Sequence, residues 1–264
     1  MKKYFVFLVL VLLFTSCSEY QDAIKSEDVG VKYEMAEKLY NQGKYGKAIR
    51  LFEQIAPVYK GKPQAEKMFY LYSQSLYKTE QYYLAAYQFE SFAAGYPKSE
   101  RYEEALFLSA KCFSKLSPTF SLDQTDTYKA IDKLQAYIDI FHESPNLAEA
   151  NEIAKGLREK LEKKAFENAK IYNAVSDYKA AMAALDIFLI NYPGTPYKET
   201  ALFYKLDSAY NLAINSVPSK KQERLENAKT VYESLMKYKS DTEYKAKADQ
   251  MLSVIEKNLQ QFSK

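Results

Sequence analysis

The sequence predicts an all-α protein: an elongated α-solenoid of about five degenerate helix-turn-helix repeats, closed by a C-terminal capping helix. Three observations carry that expectation. The stretch LAAYQFESFAAGYPKSERYEEALF, from Leu84 to Phe107, returns 96 residues later as AAMAALDIFLINYPGTPYKETALF, from Ala180 to Phe203. The ungapped overlay pairs Phe92 with Phe188, Tyr96-Pro97 with Tyr192-Pro193, and Ala105-Leu106-Phe107 with Ala201-Leu202-Phe203. In both copies, small and aromatic residues recur at helical spacing up to the Tyr-Pro. Proline cannot continue the hydrogen-bonded ladder, and a second helical pattern starts a few residues later. Seven glycines and 8 prolines in 264 residues, with no long Gly/Ser tract, fit helices joined by short turns. A unit used twice marks a repeat protein.

Residues 1–16 read as an address. Lys2 and Lys3 precede an apolar run from Tyr4 to Phe14, which is too short to span a bilayer comfortably, and Thr15-Ser16 supply small residues. Cys17 follows that pair at the expected cleavage point, the arrangement of a bacterial lipobox, with Phe14 where a leucine is usual. The alternative is an ordinary secretory signal followed by an incidental cysteine. Acyl chains on Cys17 would supply the hydrophobic signals that stable anchoring needs. Residues 17–30 carry Glu19, Asp22, Glu27 and Asp28 without apolar periodicity and read as a lipidated flexible tether.

Charge and cysteine usage exclude several classes. Without residues 1–16, which hold two lysines and no acid, the chain has 35 Lys and Arg against 34 Asp and Glu. No basic excess points to nucleic acid. The only other cysteine is Cys112, so no intramolecular disulfide is expected, and Cys112 reads as a small buried helical residue. There is no HExxH, Gly-x-Ser-x-Gly or phosphate-cradling glycine loop, and the single histidine, His142, has no second ligand near it in sequence. No enzyme, no metal and no cofactor are expected.

The repeats occupy residues 31–145 (units one to three) and 146–241 (units four and five), with the cap at 242–264. In unit one, residues 33–55, the residues Ala36, Leu39, Tyr45, Ala48, Phe52 and Ile55 have tetratricopeptide spacing, with Gly43 at the turn. Small residues allow two helices to approach and large ones fill the groove beside them. Unit two is a helix over 66–78, a turn at Thr79 to Gln81 with Glu80 in the place of Gly43, and a helix over 82–95. Unit three opens at Tyr102 to Lys115, is interrupted by a polar insertion from Ser117 to Thr127, and resumes over 128–141. It ends in FHES, so His142 takes the place of the turn proline.

Residues 146–175 keep helical spacing without proline and predict one long helix, or two abutting near Gly156, joining the halves. Unit four runs through Ala181, Leu185 and Phe188. Unit five runs through Leu206, Ala209 and Tyr210, then, past Val217-Pro218, through Ala228, Tyr232 and Leu235. The alanines opening the second helices, Ala48, Ala85, Ala130, Ala181 and Ala228, fall at intervals of 37, 45, 51 and 47. All exceed the roughly 34 residues of an ideal unit, so the repeats are degenerate. Tyr244, Ala248, Met251, Leu252, Ile255, Leu259 and Phe262 form the amphipathic stripe of the cap.

A lipobox cysteine, a short polar spacer and five such units with Phe-x-x-x-Tyr-Pro-x-Ser/Thr turns resemble the BamD family, the outer-membrane lipoproteins of the β-barrel assembly machinery. The resemblance covers essentially the whole mature chain, including the insertion in unit three. It implies a non-enzymatic scaffold anchored in the cell outer membrane by lipid on Cys17 and facing the periplasm. Its C-terminal repeats would bind the barrel-forming subunit (BamA-like), and its N-terminal repeats would receive the C-terminal segment of unfolded outer-membrane proteins. A repeat lipoprotein serving division, polysaccharide export or glycan capture is the competing reading.

Counting along the first helix of each unit, which lines the groove of such an array, gives the candidate site. The positions are Tyr33, Glu37, Tyr40 and Asn41 in unit one; Lys67, Tyr70, Gln74, Tyr77 and Lys78 in unit two; and Phe107, Lys111 and Lys115 in unit three. Aromatic faces mixed with ammonium and amide groups suit a peptide ending in an aromatic residue and a free carboxylate. Equally, the tyrosines could pack and the lysines form a solvated face.

Overall fold

A computed structural model describes residues 19–262, and their regular structure is entirely helical. After a helical segment at residues 19–25, the chain forms α1 (Val29–Asn41), α2 (Tyr45–Tyr59), α3 (Ala65–Lys78), α4 (Tyr82–Gly95), α5 (Tyr102–Leu116) and α6 (Thr125–Ile140). Then follow α7 (Leu147–Ala174), α8 (Tyr178–Asn191), α9 (Lys198–Ile214), α10 (Pro218–Tyr238) and α11 (Lys245–Leu259), with a 3-10 turn over Gln260–Phe262. This is the all-α repeat architecture the turns predict. The stretch from 146 onward forms one helix through Gly156.

Two compact units divide the chain. One comprises the described residues up to Pro118 together with Asp123–Leu157; the other comprises Thr119–Leu122 and the described residues from Arg158 on. The division falls inside α7, later than the expected start of the C-terminal repeats at 146. In the first unit successive helices pack on one another, and α1 also meets α3. Short connections make such neighbours antiparallel. In the second, α8, α9, α10 and α11 pack in sequence, and α11 also touches α9. It covers one end with Ala248 and Ile255, as the apolar stripe predicts.

The marker alanines explain the close packing. Ala48, Ala85, Ala130, Ala181 and Ala228 are each 0 % exposed. Larger residues around them, Phe52, Phe89, Phe92 and Leu134 in the first unit and Leu185, Leu206 and Leu225 in the second, are also fully buried. Burial of such apolar side chains, each worth about 1.5–3 kcal/mol, is the main force holding each helical pair together.

Two turn types recur. Between the helices of units one, two and four the chain passes through the left-handed region, at Gly43 (φ 72), Glu80 (φ 59) and Ser176 (φ 64). In all three the next N–H reaches back to a helical carbonyl: Lys44 to Leu39, Gln81 to Leu76 and Asp177 to Tyr172, at 2.9, 3.0 and 2.9 Å. That closure is the glycine-favouring helix stop, so the match of Glu80 to Gly43 is conformational. Between units two and three, and between four and five, stands the Tyr-Pro turn, while units one and two join through Gly61 (φ 84). Phe92 and Tyr96 pack with ring centroids 5.3 Å apart and planes at 42°, and their counterparts Phe188 and Tyr192 with 5.3 Å and 39°.

The Ser or Thr closing this turn receives the N–H two residues on: Ser99 from Arg101 at 3.1 Å, Ser144 from Asn146 at 2.9 Å, Thr195 from Tyr197 at 3.2 Å and Thr242 from Tyr244 at 3.3 Å. A local hydroxyl cap of this kind competes with helix continuation and starts the next helix in a fixed direction. Ser99 also donates to Glu66 at 2.6 Å and Thr242 to Glu199 at 2.5 Å, tying each turn to the start of the preceding first helix. His142 lies exposed in the FHES turn, and Cys112 is buried on α5, its thiol pushed up to about 12 by burial.

One expectation changes. Residues 19–25, assigned to a flexible tether over 17–30, form a helical segment with Tyr20 and Ala23 buried in the core of the first unit. Two apolar residues three apart suffice for one helical face, but they are too few to register as periodicity among acidic neighbours. The signal segment 1–16 and Cys17 lie outside the described residues, as do the last two residues of the expected cap.

Candidate functional site

The first helices of the N-terminal repeats, α1, α3 and α5, repeat every 37 residues, and the candidate residues other than Lys67 fall into four tiers. Tyr33, Tyr70 and Phe107 form the first tier, each on the same turn of its helix, at 7, 8 and 3 % exposure. Each is covered by an aromatic from a neighbouring helix. Tyr33 stacks on Tyr59 at 5.3 Å, Tyr70 meets Phe92 at 5.6 Å, and Phe107 meets Tyr137 at 5.4 Å. These three were expected to face an open groove and instead form its floor. The reason is packing: a ring at this register reaches back over the turn N-terminal to its own Cα and into the adjacent helix pair.

The second tier is Glu37, Gln74 and Lys111, four residues on from the first. Glu37 pairs with Lys67, buried Gln74 donates to the Tyr70 hydroxyl at 2.8 Å, and Lys111 lies 5.6 Å over the Phe107 ring. Gln74, also expected as a recognition residue, is therefore used up internally. Lys111 pairs with Glu149 of α7 at 2.6 Å. That carboxylate, and secondarily the Tyr77 hydroxyl, raise the Lys111 pKa. Burial pushes the Tyr33 and Tyr70 hydroxyls well above the ordinary tyrosine value, with Glu37 adding at the first and Glu104 at the second.

The third and fourth tiers remain accessible. Tyr40 and Tyr77 are half-buried, their rings meeting Tyr45 at 5.4 Å and Tyr82 at 5.9 Å edge to face. Asn41, Lys78 and Lys115 are exposed. Lys78 and Lys115 have no carboxylate partner among the described residues. The structure thus brings together an aromatic floor, two half-open tyrosines and two available ammonium groups on one face of one unit.

Two members were missed. Arg101 lies with its guanidinium 4.6 Å from the Tyr70 ring centre, and the Glu104 carboxylate helps burial raise the Tyr70 hydroxyl pKa. Both also act on Tyr40, whose hydroxyl is raised chiefly by burial, then by Tyr45 and Glu104, with Arg101 opposing. Glu104 stands 37 residues after Lys67, so the 37-residue step between first helices reaches it. Arg101 precedes α5 and has no counterpart in the count.

Residues 26–225 match the YfiO family of outer membrane lipoproteins. The chain belongs to that family. Membership places this YfiO protein at the outer membrane, in agreement with the resemblance drawn from its turns and its cysteine. The YfiO chain is also similar to a protein of Aquifex aeolicus (strain VF5) named "Putative outer membrane protein assembly factor BamD". The two are 26 % identical over 247 residues, covering 90 % of this chain and 78 % of that one. Among solved structures, the TPR-like repeats of a putative kinesin light chain from Podosopora anserina align at 15 % identity over 82 % of this chain and 98 % of theirs. The TM-score is 0.33, too loose to carry an argument. Those values are for a singly substituted form; the structure of the same repeats without that substitution gives the same TM-score.

Proposed function

We propose that the protein is a lipid-anchored, periplasm-facing scaffold of outer-membrane β-barrel assembly, whose α1, α3 and α5 face receives the C-terminal segment of unfolded barrel proteins. The observation that carries this reading is the row of half-buried Tyr40 and Tyr77 beside exposed Lys78 and Lys115. An aromatic terminal side chain stacks against the tyrosines while its carboxylate meets an ammonium group that is not already neutralised. Lys67 and Lys111 are paired with Glu37 and Glu149 and contribute less. The name of the Aquifex relative supports the assembly role.

The C-terminal repeats take the barrel-forming subunit (BamA-like). In support, Ile171 and Tyr172 of α7, Val175 in the turn after it, and Ile187 and Ile190 of α8 stand 56, 44, 65, 59 and 75 % exposed within the second unit. Contiguous exposed apolar surface of this kind marks protein contacts. Recovering the chain from detergent-solubilised envelopes with its lipid intact tests the reading. The stoichiometric partner should be the barrel-forming subunit, and a division or polysaccharide-export complex in its place would overturn it.

A further inference from the structure

The helical segment 19–25 is seated on the first unit. The Tyr20 ring is 6 % and Ala23 1 % exposed, both within the first unit's core. The Lys47 ammonium of α2 lies 5.0 Å from the Tyr20 ring centre, Lys38 of α1 pairs with Glu19 at 2.5 Å, and Lys32 donates to the Ile24 carbonyl at 3.3 Å. Side-chain contacts from α1 and α2 therefore hold the segment from both sides along its length. Asp28 then caps α1 through the Gly30 N–H at 2.7 Å, closing the connection.

Only Ser18 lies between Cys17 and the start of this seated segment. An extended chain covers at most about 3.3–3.6 Å per residue, so Glu19 lies within about 7 Å of the Cys17 Cα. A tether running to residue 30 would reach roughly 45 Å by the same measure. We propose that the anchor is clamped rather than tethered: residues 19–25 hold the α1–α2 end of the first unit against the headgroup layer of the bilayer. Lys47, exposed beside Tyr20, and Arg50, exposed on the next turn of α2, then face lipid phosphates. The occupant of this surface is the membrane that carries the lipid. This inference rests on the reading of Cys17 as the lipidated residue.

The test uses the full chain, purified with its lipid and placed in nanodiscs of phosphatidylethanolamine and phosphatidylglycerol. A fluorophore at Gly46→Cys, where an added side chain meets nothing within 4 Å, reports energy transfer to a headgroup-labelled lipid. Efficient transfer is expected. Inserting about ten Gly/Ser residues between Ser18 and Glu19 should lower it severalfold while the fold is untouched, the added reach being several times the clamp distance. Tyr20→Asp with Ala23→Asp should lower it similarly by releasing the segment. Weak transfer in the parent chain, or transfer unchanged by the insertion, overturns the clamp while leaving the anchor intact. An intact mass without acyl chains overturns the Cys17 reading and the clamp together, and is distinguished by that mass alone.

Discussion

The Arg101 guanidinium sits 4.6 Å from the centre of the Tyr70 ring, roofing a tyrosine that Phe89, Phe92 and Gln74 already enclose. Tyr70 is thereby a structural part of the α1, α3 and α5 face, and under the proposed function recognition falls to its neighbours on the same helix.

Tyr70→Ala should destabilise the first unit by about 3–5 kcal/mol, the cost of emptying a large buried aromatic site. Tyr77→Ala, from a half-buried position, should cost on the order of 1 kcal/mol. Urea unfolding followed by far-UV circular dichroism separates them. Equal midpoints for the two variants would contradict the tiered arrangement. A triple change at Tyr40, Tyr70 and Tyr77 would therefore mix any loss of binding with unfolding.

Glu80 holds φ 59 where Gly43 holds φ 72. Left-handed backbone costs a side chain about 1–2 kcal/mol that glycine escapes, so Glu80→Gly should stabilise the first unit by about 1 kcal/mol. A higher urea midpoint checks this; a lower one means that the Glu80 side chain contributes more than its backbone costs.

How much was legible follows from these residues. Apolar periodicity and prolines locate the helices because both act locally, and the buried alanines mark helix contacts because only a small residue allows them. The tiers were hidden by the choice of marker. Alanines of the second helices drift with the insertion after Ser117, whereas Tyr33, Tyr70 and Phe107 keep a constant step of 37. Phe166 and Phe203 keep the same step in the second unit and are 3 and 8 % exposed. Gln74 turns onto the Tyr70 hydroxyl one turn back on the same helix, a spacing the sequence does show, but its burial comes from neighbouring helices, which no local pattern records. The seat of residues 19–25 likewise depends on side chains from α1 and α2.

Ala181 is fully buried in the second unit. Ala181→Leu should cost about 1–3 kcal/mol by overpacking α8 against its neighbours. Hydrogen exchange should show the loss in α8 and α9, with α1 to α4 retaining protection. Uniform protection throughout would show that α8 accommodates the larger residue.

Glu199 accepts from Lys239 at 2.8 Å and from Thr242 at 2.5 Å, and these bonds hold its carboxyl below the usual value, Lys239 first. A depressed folded pKa gives stability that is complete above the unfolded value of about 4.3 and is lost as pH falls through the folded one. Glu199→Gln should therefore flatten the decline in thermal midpoint below about pH 4.3 and leave its slope above that pH unchanged. An identical acid limb in both proteins would remove Glu199 from the acid response.

The affinity of a synthetic barrel C-terminal peptide, ending in phenylalanine with a free carboxylate, tests the central claim most directly. Isothermal titration against the parent chain and a Tyr77→Ala, Lys78→Gln variant should show at least tenfold weaker binding by the variant. Amidating the peptide should reproduce much of that loss. Equal affinity of both proteins for both peptides, with folding intact, would contradict the assignment of the α1, α3 and α5 face as the receptor for unfolded barrels.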